Sequence, residues 1–126
     1  MSSITLKPEL TELYTLNEFI LKELPSENLQ VNLIVEEIFV NIVEYSKTEF
    51  ITVNVKFEKP TLTLEFIDNG IEFNPLLKED SPQPTNIDEA QVGGLGIFLT
   101  KEMADELDYH HINGENHLIV TKKVEQ

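Results

Sequence analysis

The chain contains no cysteine and no arginine. Without cysteine there is no disulfide framework, no thiolate metal site and no cysteine nucleophile, a composition that suits a reducing cytoplasm. Without arginine, the nine basic residues are all lysines, and nothing in the chain supplies a guanidinium fork to a phosphate. Long apolar runs are missing as well: none approaches the roughly 20 residues that a membrane helix needs. The N-terminal segment MSSITLKPEL lacks the basic start and apolar stretch of a secretion signal. A soluble, cytoplasmic protein is therefore expected, with no membrane partner. Positive charge is scarce, at nine basic against 23 acidic residues and a formal net charge of −14. That balance disfavours binding to a phosphate backbone, so nucleic acid is not an expected partner. A nucleotide is still allowed, because a divalent ion and backbone N–H groups can meet its charge. The acidity itself has two readings, solubility or a basic protein partner.

What remains is enough for one core. The 126 residues, 40% of them apolar, are expected to form one domain over residues 1–126 without covalent staples. Residues 3–7 read as a short strand, and Pro8 suits the first turn of a helix. Leu10, Leu13, Tyr14, Leu16, Phe19, Ile20 and Leu24 carry a helical period to about residue 23. Pro25-Ser26 breaks it, with Ser26 the expected N-cap of a second helix that is apolar enough for burial on more than one side. Ile51, Val53, Val55 and Phe57 then alternate with polar residues, as do Leu62, Leu64 and Phe66. With Glu58-Lys59-Pro60 between them, the two runs read as an antiparallel hairpin. Residues 71–92 hold three prolines, several acids and few apolar groups, a length that in a compact domain points to function or disorder. A helix is expected from Leu95 to about Glu106, then strands at 107–112 and 117–124 around an Asn113-Gly114 turn. The order β-α-α-β-β-loop-α-β-β implies an α+β two-layer sandwich with helices over one face of a mixed, largely antiparallel sheet.

Three short motifs punctuate this order. Glu37 and Asn41 stand one helical turn apart in EIFVN and share a face. An amide oxygen there can ligate Mg²⁺ while the carboxylate acts as general base, or both can lie on a solvated edge. Asp68, in Asp68-Asn69-Gly70, falls by period two on the face of Leu62, Leu64 and Phe66. A carboxylate on a core face needs a partner, and one lining a pocket can accept the amino group of a purine. Gly70 would let the backbone approach such a ligand; alternatively the three residues are only a turn. Gly93-Gly94-Leu95-Gly96 precedes a helix, so its N–H groups can cradle phosphates, or it is a flexible hinge. No Gly-Lys-Ser/Thr follows, so it is not a Walker loop. His110 and His111 are expected on opposite strand faces, which argues against a simple two-histidine metal site. Ser46 and Thr100 have no neighbouring group in the sequence placed to activate them as nucleophiles.

Taken together, EIFVN, FIDNG and GGLGIFLTKEMADELDYHHINGENHLIVTKK resemble the GHKL ATPases, the group of gyrase, the large heat-shock chaperone, histidine kinases and mismatch-repair proteins. The short length is most similar to the stand-alone anti-sigma-factor serine/threonine kinases of bacterial partner switching. The resemblance implies a histidine-kinase-like ATPase fold that binds ATP and Mg²⁺ between the helices and a mobile lid. It implies Glu37 as catalytic base, Asn41 as Mg²⁺ ligand, and Asp68 with Gly70 as the adenine-reading pair. Gly93, Gly94, Leu95 and Gly96 would lie at the phosphates and residues 71–92 would be the lid. The implied partners are a sigma factor or similar regulator and an anti-anti-sigma-type antagonist, with a homodimer through the apolar first helix left open. The chain departs from the pattern in places. Gln91-Val92 stands where related kinases carry a basic residue before the glycines, with Lys78 or Lys101 as substitutes. Asn116 or His117 replaces a threonine near the last strand. A histidine-kinase dimerisation helix and substrate histidine are not expected in front of the domain, nor is autophosphorylating histidine kinase activity. A nucleotide-binding interaction module without phosphotransfer is the alternative.

Overall fold

The fold follows from how the apolar periods find each other. In the computed structural model, residues 2–72 and 100–124 are described. β1 (Ser2–Leu6) is followed by a 3₁₀ turn (Leu10–Glu12), α1 (Leu13–Glu23), α2 (Leu29–Tyr45), β2 (Ile51–Glu58) and β3 (Thr61–Asp68). Residues 100–103 are helical, and β4 (Glu106–Ile112) and β5 (Glu115–Lys123) complete the described chain. The five strands form one sheet in the order β1-β2-β3-β5-β4, with every pairing antiparallel. This is the α+β two-layer arrangement that the pattern implies, with an antiparallel rather than a mixed sheet. No helix among the described residues is long and apolar enough to cross a membrane.

α2 carries the helical layer. Val31, Ile34, Val35, Ile38, Phe39 and Ile42 are buried, at spacings of three and four that keep them on one stripe. Leu16 and Ile20 of α1 are buried too. Across the layer, Ile51, Val53 and Val55 of β2, Leu62, Leu64 and Phe66 of β3, and Leu118 and Val120 of β5 complete the core. The alternate residues of β2 and β3 face outward and, Ile67 apart, are polar, Asn54 and Glu65 among them, as one-sided burial favours. Asn113 and Gly114 both have positive φ, 53° and 77°, which makes the β4–β5 connection the two-residue turn matched to strand twist.

Three local expectations are corrected. The N-cap of α2 is Asn28 rather than Ser26: its side chain accepts the Val31 N–H at 3.0 Å. A cap must sit two or three residues before the N–H it serves, and Ser26 lies too early. Pro8 lies before the 3₁₀ turn, because Glu9 is extended (φ −129°, ψ 138°). The helix expected to reach about Glu106 ends earlier: Asp105 N–H donates to Thr121 O at 2.8 Å, so the chain has joined the sheet by then. The expected beginning of that helix, at Leu95, lies outside the described residues.

Candidate functional site

Of the candidate residues, Asp68 and Gly70 lie where the C-terminal end of α2 meets the end of β3. Asp68 closes β3 on the helix-facing side and is 3% exposed. Its Oδ1 accepts from Ser46 Oγ, from Gly70 N–H at 2.9 Å and from Asn116 Nδ2 at 3.0 Å. No described residue donates to Oδ2. A buried carboxylate is stable when its lone pairs are matched. Here the fold matches one oxygen with three donors, and among the described residues the other has none. Asn69 braces the corner, its N–H donating to Thr48 Oγ1 at 3.0 Å and its Oδ1 accepting Glu49 N–H at 2.9 Å.

Gly70 has a cause other than ligand approach. A Cβ at this position would collide with the carbonyl and hydroxyl oxygens of Ser46, while Ile71 N–H donates to Ser46 O at 2.8 Å. The chain leaving β3 is therefore pressed against the C-cap of α2, and only hydrogen fits there. Gly70→Ala is expected to lower stability by about 1–3 kcal/mol, the cost of forcing atoms into a packed site, as read in denaturant melts. The same change should loosen Asp68, whose Oδ1 loses the Gly70 N–H if the backbone moves.

Asn41 is 1% exposed and donates through Nδ2 to the Glu37 backbone carbonyl at 2.8 Å. That bond turns the amide so that Oδ1 points away from the carbonyl. Among the described residues Oδ1 is buried without a hydrogen-bond partner. An unmatched buried acceptor costs about 1–3 kcal/mol, and a hard cation taking oxygen ligands would relieve it. Glu37, one turn earlier and half-buried, has its carboxyl raised above the ordinary glutamate value by burial, with the Glu36 charge adding to the effect. A partly buried carboxyl raised in this way suits proton abstraction. Glu37 and Ser46 are separated by roughly 13 Å along the helix axis at 1.5 Å per residue. α2 thus runs from the Asp68 corner to the Glu37–Asn41 pair.

Gly93, Gly94, Leu95 and Gly96, the segment 73–92 and Lys78 lie outside the described residues. Three partners in the Asp68 network are not legible as such in the sequence: Ser46, which enters there only as a nucleophile, Asn116, only in place of a threonine, and Tyr109, not singled out at all. Asn116 sits opposite Asp68 in the β3–β5 register, donates from Nδ2 to Ile71 O at 2.8 Å, and accepts from Tyr109 OH through Oδ1. The turn signal at Asn113-Gly114 places Tyr109 near Asn116, but nothing local places either beside Asp68. On the outer sheet face His110 and His117 are cross-strand partners with stacked rings, 4.9 Å between centroids, while His111 faces the other side near Glu72. His117 lies between Glu65 (3.0 Å) and Glu115 (3.5 Å). Burial opposes ionisation of Glu65, but hydrogen bonds from His117 and Asn54 outweigh it and hold the carboxyl below its usual value. Among the described residues no group of three or more metal-ligating side chains is placed to hold an ion.

Comparison with known proteins identifies the family and the fold. Residues 8–122 match the model of the histidine kinase-like ATPase domain. A serine/threonine-protein kinase of Bordetella bronchiseptica, BtrW, is 28% identical over 125 residues, covering 94% of this chain and 88% of the relative. Among solved structures, the histidine kinase AdeS of Acinetobacter baumannii superimposes with a TM-score of 0.58 at 9% identity, over 100% of this chain and 69% of that one, a likeness of fold. With the family match spanning nearly all of its length, the chain belongs to the histidine kinase-like ATPase domain family.

Proposed function

We propose that the protein is an ATP- and Mg²⁺-dependent regulatory serine/threonine protein kinase that also restrains a sigma factor or similar regulator, and that its phosphorylated substrate is an anti-anti-sigma-type antagonist. The observation that carries the reading is the buried, unmatched Asn41 Oδ1 one turn from a carboxyl whose pKa is raised. The serine/threonine kinase named among its relatives supports the reaction class. Asp68 Oδ2 reads the exocyclic amino group of adenine. Asn41 Oδ1 would hold Mg²⁺, which when bound supplies charge neutralisation at the phosphates. Glu37 would accept the proton of the attacking hydroxyl as its oxygen bonds the γ-phosphorus, while the bond from that phosphorus to the bridging oxygen breaks and ADP leaves. Positioning and electrostatics then do most of the catalysis, as phosphoryl transfer requires. Gly93, Gly94, Leu95 and Gly96 steady the phosphates, residues 71–92 close over them as a lid, and residues 1–126 act as one domain in the cytoplasm. Leu10, Tyr14 and Leu21, exposed on the first helical stretch, supply an apolar surface for pairing with a second copy.

Calorimetric titration tests the metal assignment. Asn41→Ala is expected to weaken ATP binding in the presence of Mg²⁺ by about 10–100-fold, the usual scale for damaging a metal site, with little change when the metal is chelated. An equal loss with and without the metal would remove Asn41 from the ligand set. A second reading is favoured by one feature: Gln91-Val92 precedes the glycines and the chain has no arginine. On that reading the protein binds nucleotide as a conformational signal and titrates its partner without turnover.

A further inference from the structure

A carboxylate that accepts a purine amino group has two chemically equivalent oxygens, so something must decide which faces the ligand and hold it there. At Asp68 three donors converge on Oδ1, and the Asn116 amide is the one supplied by the neighbouring strand β5. The orientation of that amide is forced. Both groups in front of Nδ2, the Asp68 carboxylate and the Ile71 carbonyl, are acceptors, so a flipped amide would set oxygen against oxygen. With Nδ2 committed there, Oδ1 faces Tyr109, and the phenol must donate to it. The chain of donation runs one way, from Tyr109 to Asn116 to Asp68. Asn116 is 3% exposed, and in a buried network each bond polarises the next.

Resting on the proposed purine-reading role of Asp68, we infer that Tyr109 and Asn116 are positioning residues for base selectivity: they pin Asp68 Oδ1 and thereby aim Oδ2 at an amino group on the bound purine. Neither needs to touch the ligand. The register makes this an economical arrangement, because Asn116 pairs directly with Asp68, and Tyr109, whose cross-strand partner is Leu118, lies diagonally from Asn116 on the same face. The edge strand β4 thus acts on Asp68 through the phenol hydrogen that Tyr109 donates to Asn116.

The test compares ATP with purine riboside 5′-triphosphate, which lacks the exocyclic amino group, by calorimetry on the full chain. Tyr109→Phe keeps the ring and removes the hydroxyl that donates to Asn116. The expected result is a loss of about three- to tenfold in ATP affinity, the scale of one loosened hydrogen bond in a network, with the desamino analogue changed by no more than about twofold. Asn116→Ala should give a larger loss with the same selectivity pattern, and thermal melts identify any variant that has merely unfolded. Equal weakening of both nucleotides would mean a general structural role and overturn the proposal. So would ATP affinity unchanged in folded Tyr109→Phe. If the wild-type protein binds ATP no better than the desamino analogue, the base-reading role of Asp68 fails and the positioning role fails with it. If the wild type prefers ATP and Tyr109→Phe leaves that preference intact, only the positioning role falls.

Discussion

Asp68→Asn is expected to weaken ATP binding by about 10–100-fold while the fold survives. The variant keeps an oxygen for the Ser46, Gly70 and Asn116 donors, so its amide settles with Oδ1 inward and Nδ2 where Oδ2 stood. An amino group then faces an amino group. A hydrogen bond to a charged acceptor contributes about 1.5–3 kcal/mol, and each 1.4 kcal/mol is a factor of about ten in affinity. The reversed polarity also favours a purine with a carbonyl at the same ring position, so affinity for inosine triphosphate should rise relative to ATP. Titration with both nucleotides, beside a thermal melt, decides the matter. Unchanged ATP affinity in a folded variant would show that Asp68 is only a structural cornerstone between α2 and the sheet. Asp68→Ala is a poorer probe, because it strips an acceptor from three buried donors and confounds binding with stability.

Glu37→Gln should leave ATP affinity within about twofold and reduce phosphotransfer by roughly 10²–10⁴, the contribution of a positioned general base. The pH dependence follows from the raised carboxyl. The base works only when ionised, so the rate should fall as pH drops through the raised value, at a higher pH than an ordinary glutamate would give. Stability runs the other way. A folded-state value above the unfolded one means that folding favours the protonated form, so this group's contribution is fully present below the unfolded value and is lost as pH rises through the folded one. In Glu37→Gln both the acid limb of the rate profile and that loss of stability should disappear together. Initial rates of phosphate transfer to the antagonist protein across the acid range, with paired denaturant melts, measure both. A wild-type profile in the glutamine variant would assign the base elsewhere.

Much of the architecture is legible because it rests on local periods. The alternation through Ile51, Val53 and Val55, and through Leu62, Leu64 and Phe66, declares which side of each strand is buried, and carrying that period two residues further puts Asp68 on the inner face. Asn113-Gly114 announces its turn because few other pairs accept two successive positive φ angles. The α2 stripe follows the same logic at a period of 3.6. Boundaries are less legible. The cap at Asn28 rather than Ser26 depends on which oxygen reaches Val31 N–H, a matter of a few ångströms that propensity does not resolve.

The sequence alone therefore determined the layer arrangement and singled out Asn41 and Asp68 as candidates, with a solvated edge and a simple turn as their alternatives; the structure buries both. Those features depend on spacing along one helix or one strand, where geometry is set by the backbone. Only the tertiary structure decided what the polar groups meet. The Asn116 amide reaches Asp68 across 48 residues of sequence, through a β3–β5 pairing that no local pattern encodes. Gly70 reads locally as a turn glycine, yet its missing side chain is required by Ser46 on a different element. Which oxygen of Asp68 is spent, and which amide oxygen is left buried and unmatched at Asn41, are properties of close packing between elements, because hydrogen-bond matching is decided by atoms in contact rather than by neighbours in the chain.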